Sequence, residues 1–125
     1  MKLKILPDQL TVCKLPDTEH IDLADEFCFV GKTDEEISLV CRTGRTPGNA
    51  VAREDGWRAF RVEGTLDFCM IGVLAGISSV LAENGISVFV ISTYNTDYIL
   101  VKEENCDRAA AALAASGYLT DGGPD

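Results

Sequence analysis

An α+β fold is predicted by three features of the sequence. Apolar residues alternate at period two in several short runs. They recur at helical spacing over Ile71–Glu83. In the second half the elements follow the order strand–helix–strand–strand–helix, which is the ferredoxin-like βαββαβ pattern short of its last strand. Each element has a local cause.

"LTVCKL" (Leu10–Leu15) is rich in strand formers and lies between Pro7 and Pro16. "PDTEHIDLADEF" is polar and predicts one or two helical turns. "CFVGKT" and "EISLV" read as two strands around Thr33-Asp34-Glu35. "CRTGRTPGNAVAREDG" then loses periodicity and collects three glycines, a proline and three arginines. Thr43–Gly56 reads as a linker, with a helical turn near Ala50–Arg53.

In "WRAFRVEG", Phe60 and Val62 fall on one face of a strand. Asp67 is a predicted N-cap for the following helix. Ile71, Leu74, Ile77, Val80 and Leu81 form that helix's apolar stripe, and Asn84-Gly85 ends it, since glycine tolerates the left-handed conformation. Ile86–Ile91 is apolar on both faces, as a strand buried from both sides is. Tyr98–Lys102 is its partner. "CDRAAAALAASG" is a second helix, with Asp107 near its start and Gly117 past its end. Residues 1–56 are thus expected to form an N-terminal half with its linker and residues 57–119 the C-terminal half, with 120–125 a disordered tail. Tyr118-Leu119 is short for the missing last strand; Leu3–Leu6 is the other candidate for that place.

The two halves echo each other. "FVGKTDEEISLV" (Phe29–Val40) aligns with "FVISTYNTDYILV" (Phe89–Val101) if one residue is inserted. Thr33 then falls on Thr93 and Glu36 on Asp97. Matching Thr and acid positions point to duplication, with two half-sheets each too small to fold alone packed together.

Composition narrows the function. The chain has 125 residues, 46% apolar and 25% charged, as a globular domain does. Its net charge of −9 repels phosphate backbones, so no nucleic-acid partner is expected. No apolar run reaches the length of a membrane span, and "MKLKILPDQL" is too short in apolar residues for a signal peptide, so no membrane partner and a cytoplasmic location are expected. The five cysteines are widely spaced, and the sole histidine is His20. That pattern predicts free, buried thiols rather than a zinc site, and neither metal nor cofactor is expected.

The connection Ser92–Asp97 contains no Gly and no Pro, unlike the usual tight hairpin turn. It offers hydroxyls, an amide and a carboxylate instead. The surrounding "GVLAGISSVLAENGISVFVISTYNTDYILV" (Gly72–Val101) resembles ACT domains, ferredoxin-like modules that bind amino acids and regulate enzymes. The features that carry the likeness are the Gly-Val-Leu-Ala helix opening, the passage into the strand, and Thr-Asp before the next strand. "STYNTDYILV" and "KTDEEISLVC" are most similar to tandem ACT proteins that include cytosolic arginine sensors. Many ACT domains carry Pro before the helix glycine; here Ile71 precedes Gly72.

The resemblance implies a free amino acid as ligand, a homodimer, and a regulated protein partner. A zwitterion's carboxylate needs convergent N–H donors, which the helix start at Ile71-Gly72 offers with its positive dipole end. Its ammonium needs oxygens, which Thr93, Tyr94, Asn95 and Asp97 offer. The loop after the first strand and the hairpin turn are expected at opposite ends of the second strand. The ligand site is accordingly expected at an interface between modules, with Asp67, Ile71 and Gly72 from one and Thr93–Asp97 from another.

Plainer roles stay open: Asp97 as a turn cap, Asp67 as a helix cap, Gly72 as a packing glycine. The chain carries no nucleophile elbow, phosphate loop or dinucleotide fingerprint, and is expected not to be an enzyme. A small isomerase-like enzyme on the same fold and an interaction module without ligand are the alternatives.

Overall fold

A computed structural model describes residues 1–64 and 72–122. Asp67, Ile71 and Cys69 lie outside the described residues. The chain forms two compact units: Asp8–Trp57 is inserted between Met1–Pro7 and Arg58–Asp125, which together make the main unit. The fold is α+β with ferredoxin-like strand orders.

In the inserted unit, β2 (Leu10–Leu15), β3 (Cys28–Lys32), β4 (Ile37–Arg42) and the first part of β5 (Ala52–Val62) are ordered β3-β4-β2-β5. Read from the first strand of the unit, this is the ferredoxin-like order with both helices missing. The segment 16–27, expected to hold helical turns, contains only turns. The reason is local: Asp17 and Asp22 accept hydrogen bonds from the backbone N–H groups of Glu19 (3.1 Å) and Ala24 (3.0 Å). Aspartates that bond the backbone this way compete with a helix.

The expected linker is also corrected. A 3-10 turn occupies Thr43–Arg45, and β5 begins at Ala52, so no helical turn forms near Ala50–Arg53. The polar run Arg53-Glu54-Asp55 hides a strand whose side chains are exposed. A register shift between Leu10 and Val12 breaks its period further, with Gly56 at φ +83°. Opposite that bulge the buried Thr11 hydroxyl donates to Asp55 at 2.8 Å and lies 3.0 Å from the Thr43 hydroxyl.

The buried Asp25 carboxylate pairs with the Arg42 guanidinium. Burial pushes the Asp25 carboxyl up. The Arg42 hydrogen bond, the Glu26 amide and the Arg42 charge outweigh it and hold the carboxyl below its ordinary value. A group depressed on folding stabilises above its unfolded pKa, and that stability is lost as pH falls through the folded value. Acid titration of the folded chain is therefore expected to loosen the 16–27 segment below the ordinary carboxylate range. Asp25→Asn should flatten that acid limb; hydrogen exchange followed against pH reads it, and an unchanged limb in the variant contradicts the assignment.

The main unit is ordered β6-β7-β5-β1-β8, with β1 (Lys2–Ile5), the second part of β5, β6 (Phe89–Ser92), β7 (Asp97–Lys102) and β8 (Leu119–Gly122). The N-terminal strand fills the place of the missing last strand: Leu3 pairs with Val62 and Ile5 with Phe60, antiparallel. Leu119 opens β8, which pairs parallel with β1 at the outer edge; residues 120–122, expected in a disordered tail, are thus strand. Helices α1 (Val73–Glu83) and α2 (Cys106–Ala115) bury Ile77, Leu81, Ala109 and Leu113 in one core with Leu3, Phe60, Val62 and Ile99.

Both helices end in the same motif. The Gly85 N–H bonds Ala82 O (3.0 Å) and the Ile86 N–H bonds Leu81 O (2.9 Å). Gly117 and Tyr118 repeat this on Ala114 and Leu113. These are Schellman caps. The first cap uses Ile86, so β6 starts at Phe89 rather than at Ile86.

The buried Arg58 side chain ties β1 to the rest of its unit. Its Nε and Nη2 donate to Leu6 O at 3.3 and 2.7 Å, and Nη1 lies 4.0 Å from Glu103. The Leu6 N–H in turn bonds Ala59 O at 2.9 Å.

Candidate functional site

The hairpin between β6 and β7 is built without glycine because a hydroxyl replaces it. The Thr93 N–H bonds Thr96 O at 2.8 Å, and the Thr93 hydroxyl donates to the same oxygen at 3.0 Å. No non-glycine residue among those described has positive φ. The Thr96 hydroxyl turns inward and donates to Val62 O at 2.6 Å, fixing the hairpin to the end of β5. The polar step thus supplies its own turn chemistry and leaves Tyr94, 79% exposed, at the tip.

The inserted unit repeats the turn. The Thr33 N–H bonds Glu36 O at 2.9 Å, and the Thr33 hydroxyl accepts from the Glu35 and Glu36 amides. Strand registers run in step: Lys32 pairs with Ile37 and Ser92 with Asp97, Phe29 with Val40 and Phe89 with Leu100. The inserted residue expected from sequence is therefore corrected. Both hairpins have the same length, and Glu36 corresponds to Thr96 rather than to Asp97. Two acids one position apart made the gapped alignment look better than the gapless one.

A groove of about 470 Å³ opens beside the hairpin, lined by Arg61, Val62, Glu63, Gly64, Thr93–Thr96 and Tyr98. This corrects the expectation that the loop after the first strand and the hairpin turn lie apart. The strands β5 and β7 are neighbours, and the exit of β5 at Val62 adjoins the entry to β7 at Thr96. The exit of β5 and the hairpin turn are therefore at one end of one unit.

Three of the expected site residues, Thr93, Tyr94 and Asn95, line the groove. Asp97 does not; its Oδ1 accepts the Ser92 hydroxyl at 2.6 Å, across the first pair of the ladder. Gly72 is exposed with φ +83° and precedes α1, which begins at Val73 rather than Ile71; Gly72 is not among the groove residues. Asp67 and Ile71 are outside the described residues.

The charged pair of the groove went unread in the sequence. Arg61 Nε lies 3.7 Å from Glu63 Oε2, and the guanidinium sits 6.0 Å from the Tyr98 ring centroid, at the reach of a cation–π contact. Both charged side chains are about one-third exposed or less. The signal was there: in "RVEG" the alternation that buries Phe60 and Val62 puts Arg61 and Glu63 together on the other face. A loosely joined cation and anion beside hydroxyls and an amide complement a small zwitterion. Among the described residues no group of three His, Cys, Asp or Glu side chains is placed to hold a metal ion. No described helix is long and apolar enough to cross a membrane.

A family model for the ACT domain matches residues 52–115. The chain belongs to the ACT domain family. The match covers the part that holds β5 to α2, and so the whole hairpin and groove. Among solved structures, the ACT-domain chain is similar to protein Atu0741 from Agobacterium tumefaciens, at 30% identity and a TM-score of 0.86, over 97% of this chain and 92% of that one. It also resembles a protein of unknown function, VC0802, from Vibrio cholerae (20% identity, TM-score 0.70, 89% and 85% covered). The regulatory subunit of aspartate kinase from Thermus thermophilus, in a ligand-free form, shares the fold at 8% identity and a TM-score of 0.67, with 92% and 96% covered. No match was found among curated proteins.

Proposed function

We propose that this ACT protein is a non-catalytic regulatory protein that binds a free amino acid in the groove between β5 and the Thr93–Thr96 hairpin. The Arg61–Glu63 pair carries this reading. The ligand carboxylate bonds Arg61, whose planar fork suits two oxygens. The ligand ammonium bonds Glu63 and the hairpin oxygens. Tyr94 and Asn95, on the tip, face the ligand side chain and set which amino acid fits.

Membership in the ACT family and the fold shared with an aspartate kinase regulatory subunit support a regulatory role. The matched hairpins of the two units support a tandem arrangement of ACT-like halves, as in the arginine-sensor group. A homodimer acting on a separate protein partner completes the proposal. A second assignment places the carboxylate at the exposed start of α1 near Gly72, on the positive end of the helix dipole, and the ammonium on Asp97.

A thermal-shift screen with the twenty amino acids tests the proposal. A ligand at a hundred times its Kd stabilises by about 2.7 kcal/mol, so one or a few related amino acids should raise Tm by several degrees. No response to any of them contradicts the reading. For a ligand found this way, Asp97→Asn leaves affinity unchanged under the Arg61–Glu63 assignment and weakens it roughly ten- to a hundredfold under the second.

A further inference from the structure

Four of the chain's thiols, Cys13, Cys28, Cys41 and Cys106, are free. Three of them meet in the inserted unit. Cys13 and Cys41 are buried with Leu15 and Leu39, and Cys28 packs half-buried against that cluster from β3. Cys28 and Cys41 are direct register partners on β3 and β4. The Thr33 N–H to Glu36 O bond marks a hydrogen-bonded pair at the turn. Counting along the regular ladder, Cys28–Cys41 falls on a non-hydrogen-bonded pair, where side chains share a face and Cα atoms stand about 4.5 Å apart. A disulfide needs Cα atoms about 4.4–6.8 Å apart.

Cys13 is the wrong partner for Cys41. It pairs with Leu39, which places it diagonal to Cys41. Diagonal neighbours are about 7–8 Å apart, beyond what a disulfide spans without backbone movement.

We infer that Cys28 and Cys41 are a built modification site, which a hydroperoxide converts to a cross-strand disulfide joining β3 to β4. Cys28, half-buried on β3, which among the described residues pairs only with β4, meets the oxidant first. Its thiolate attacks the outer peroxide oxygen. The O–O bond breaks, an alcohol (water, from hydrogen peroxide) leaves, and Cys28 becomes a sulfenic acid. The Cys41 thiolate attacks the Cys28 sulfur, the S–S bond forms, and hydroxide leaves to become water. The two sulfurs lose two electrons and the peroxide gains them.

Burial pushes both thiols up. The Cys41 thiol, Asp25 and Asp22 add to this at Cys28; at Cys41 the Thr46 hydroxyl and Arg53 oppose it, while Asp25 adds to it. The step is therefore slow at neutral pH and quickens about tenfold per pH unit as the thiolate fraction grows.

The test is thiol counting and peptide mapping after hydrogen peroxide treatment of the folded chain at mildly alkaline pH. The titratable thiols should fall from five to three, with one linked peptide joining Cys28 to Cys41 and reversal by dithiothreitol. Cys13→Ser should still form the link, and Cys28→Ser should lose it. A linked peptide through Cys13, Cys69 or Cys106, or no linked peptide in the parent, overturns the inference.

Discussion

Arg58→Ala is expected to lower the stability of the main unit by about 3 kcal/mol. A hydrogen bond to a charged group contributes about 1.5–3 kcal/mol, and Arg58 directs both Nε and Nη2 at Leu6 O from a side chain only 1% exposed. The truncation also leaves a void where the stem was packed. Glu103 is 46% exposed and solvates itself once the guanidinium is gone, which keeps the loss from growing further. Arg58→Lys should fall between, since an ammonium lacks the planar fork. Urea denaturation with matched m-values reads the change, and hydrogen exchange across Lys2–Ile5 should rise with it. A loss below about 1 kcal/mol would mean that β1 docks on its own ladder and apolar side chains.

The second large effect is on ligand affinity. Arg61→Ala and Glu63→Gln should each weaken amino-acid binding roughly ten- to a hundredfold, because each removes one charge-assisted hydrogen bond. Stability should change by less than about 1 kcal/mol, because the pair is loosely joined and partly exposed. The expected combination is lost binding with an unchanged melt. A variant that melts early instead marks the pair as structural.

Regular elements were legible where one period ruled them. The stripe through Ile77 and Leu81 and the glycines after each helix announced α1 and α2, and the caps formed as the residues required. The start of β5 was hidden because Ala52–Gly56 carries no buried side chain to mark its period. The absence of helix in 16–27 was hidden because its polar residues read as helical until Asp17 and Asp22 bonded their own backbone.

The candidate site was half legible. Thr93, Tyr94 and Asn95 stood out because a glycine-free hairpin needs an explanation. Arg61 and Glu63 did not, since a charged pair on the outer face of a strand reads as solvated surface until the groove beside it is seen. Asp97 stood out for the opposite reason: it is an acid beside a turn, and the Ser92 hydroxyl occupies it.

The central claim is that Arg61 and Glu63 divide a zwitterion between them. Titration calorimetry tests it with an amino acid that stabilises the protein, alongside its α-amide and its N-acetyl derivative. The parent protein should bind the free amino acid at least about tenfold more tightly than either derivative, one decade being about 1.4 kcal/mol. Arg61→Ala should lose the discrimination against the amide while keeping that against the N-acetyl form. Equal affinity of the parent for all three, or an Arg61→Ala variant that still rejects the amide as strongly as the parent does, would contradict it.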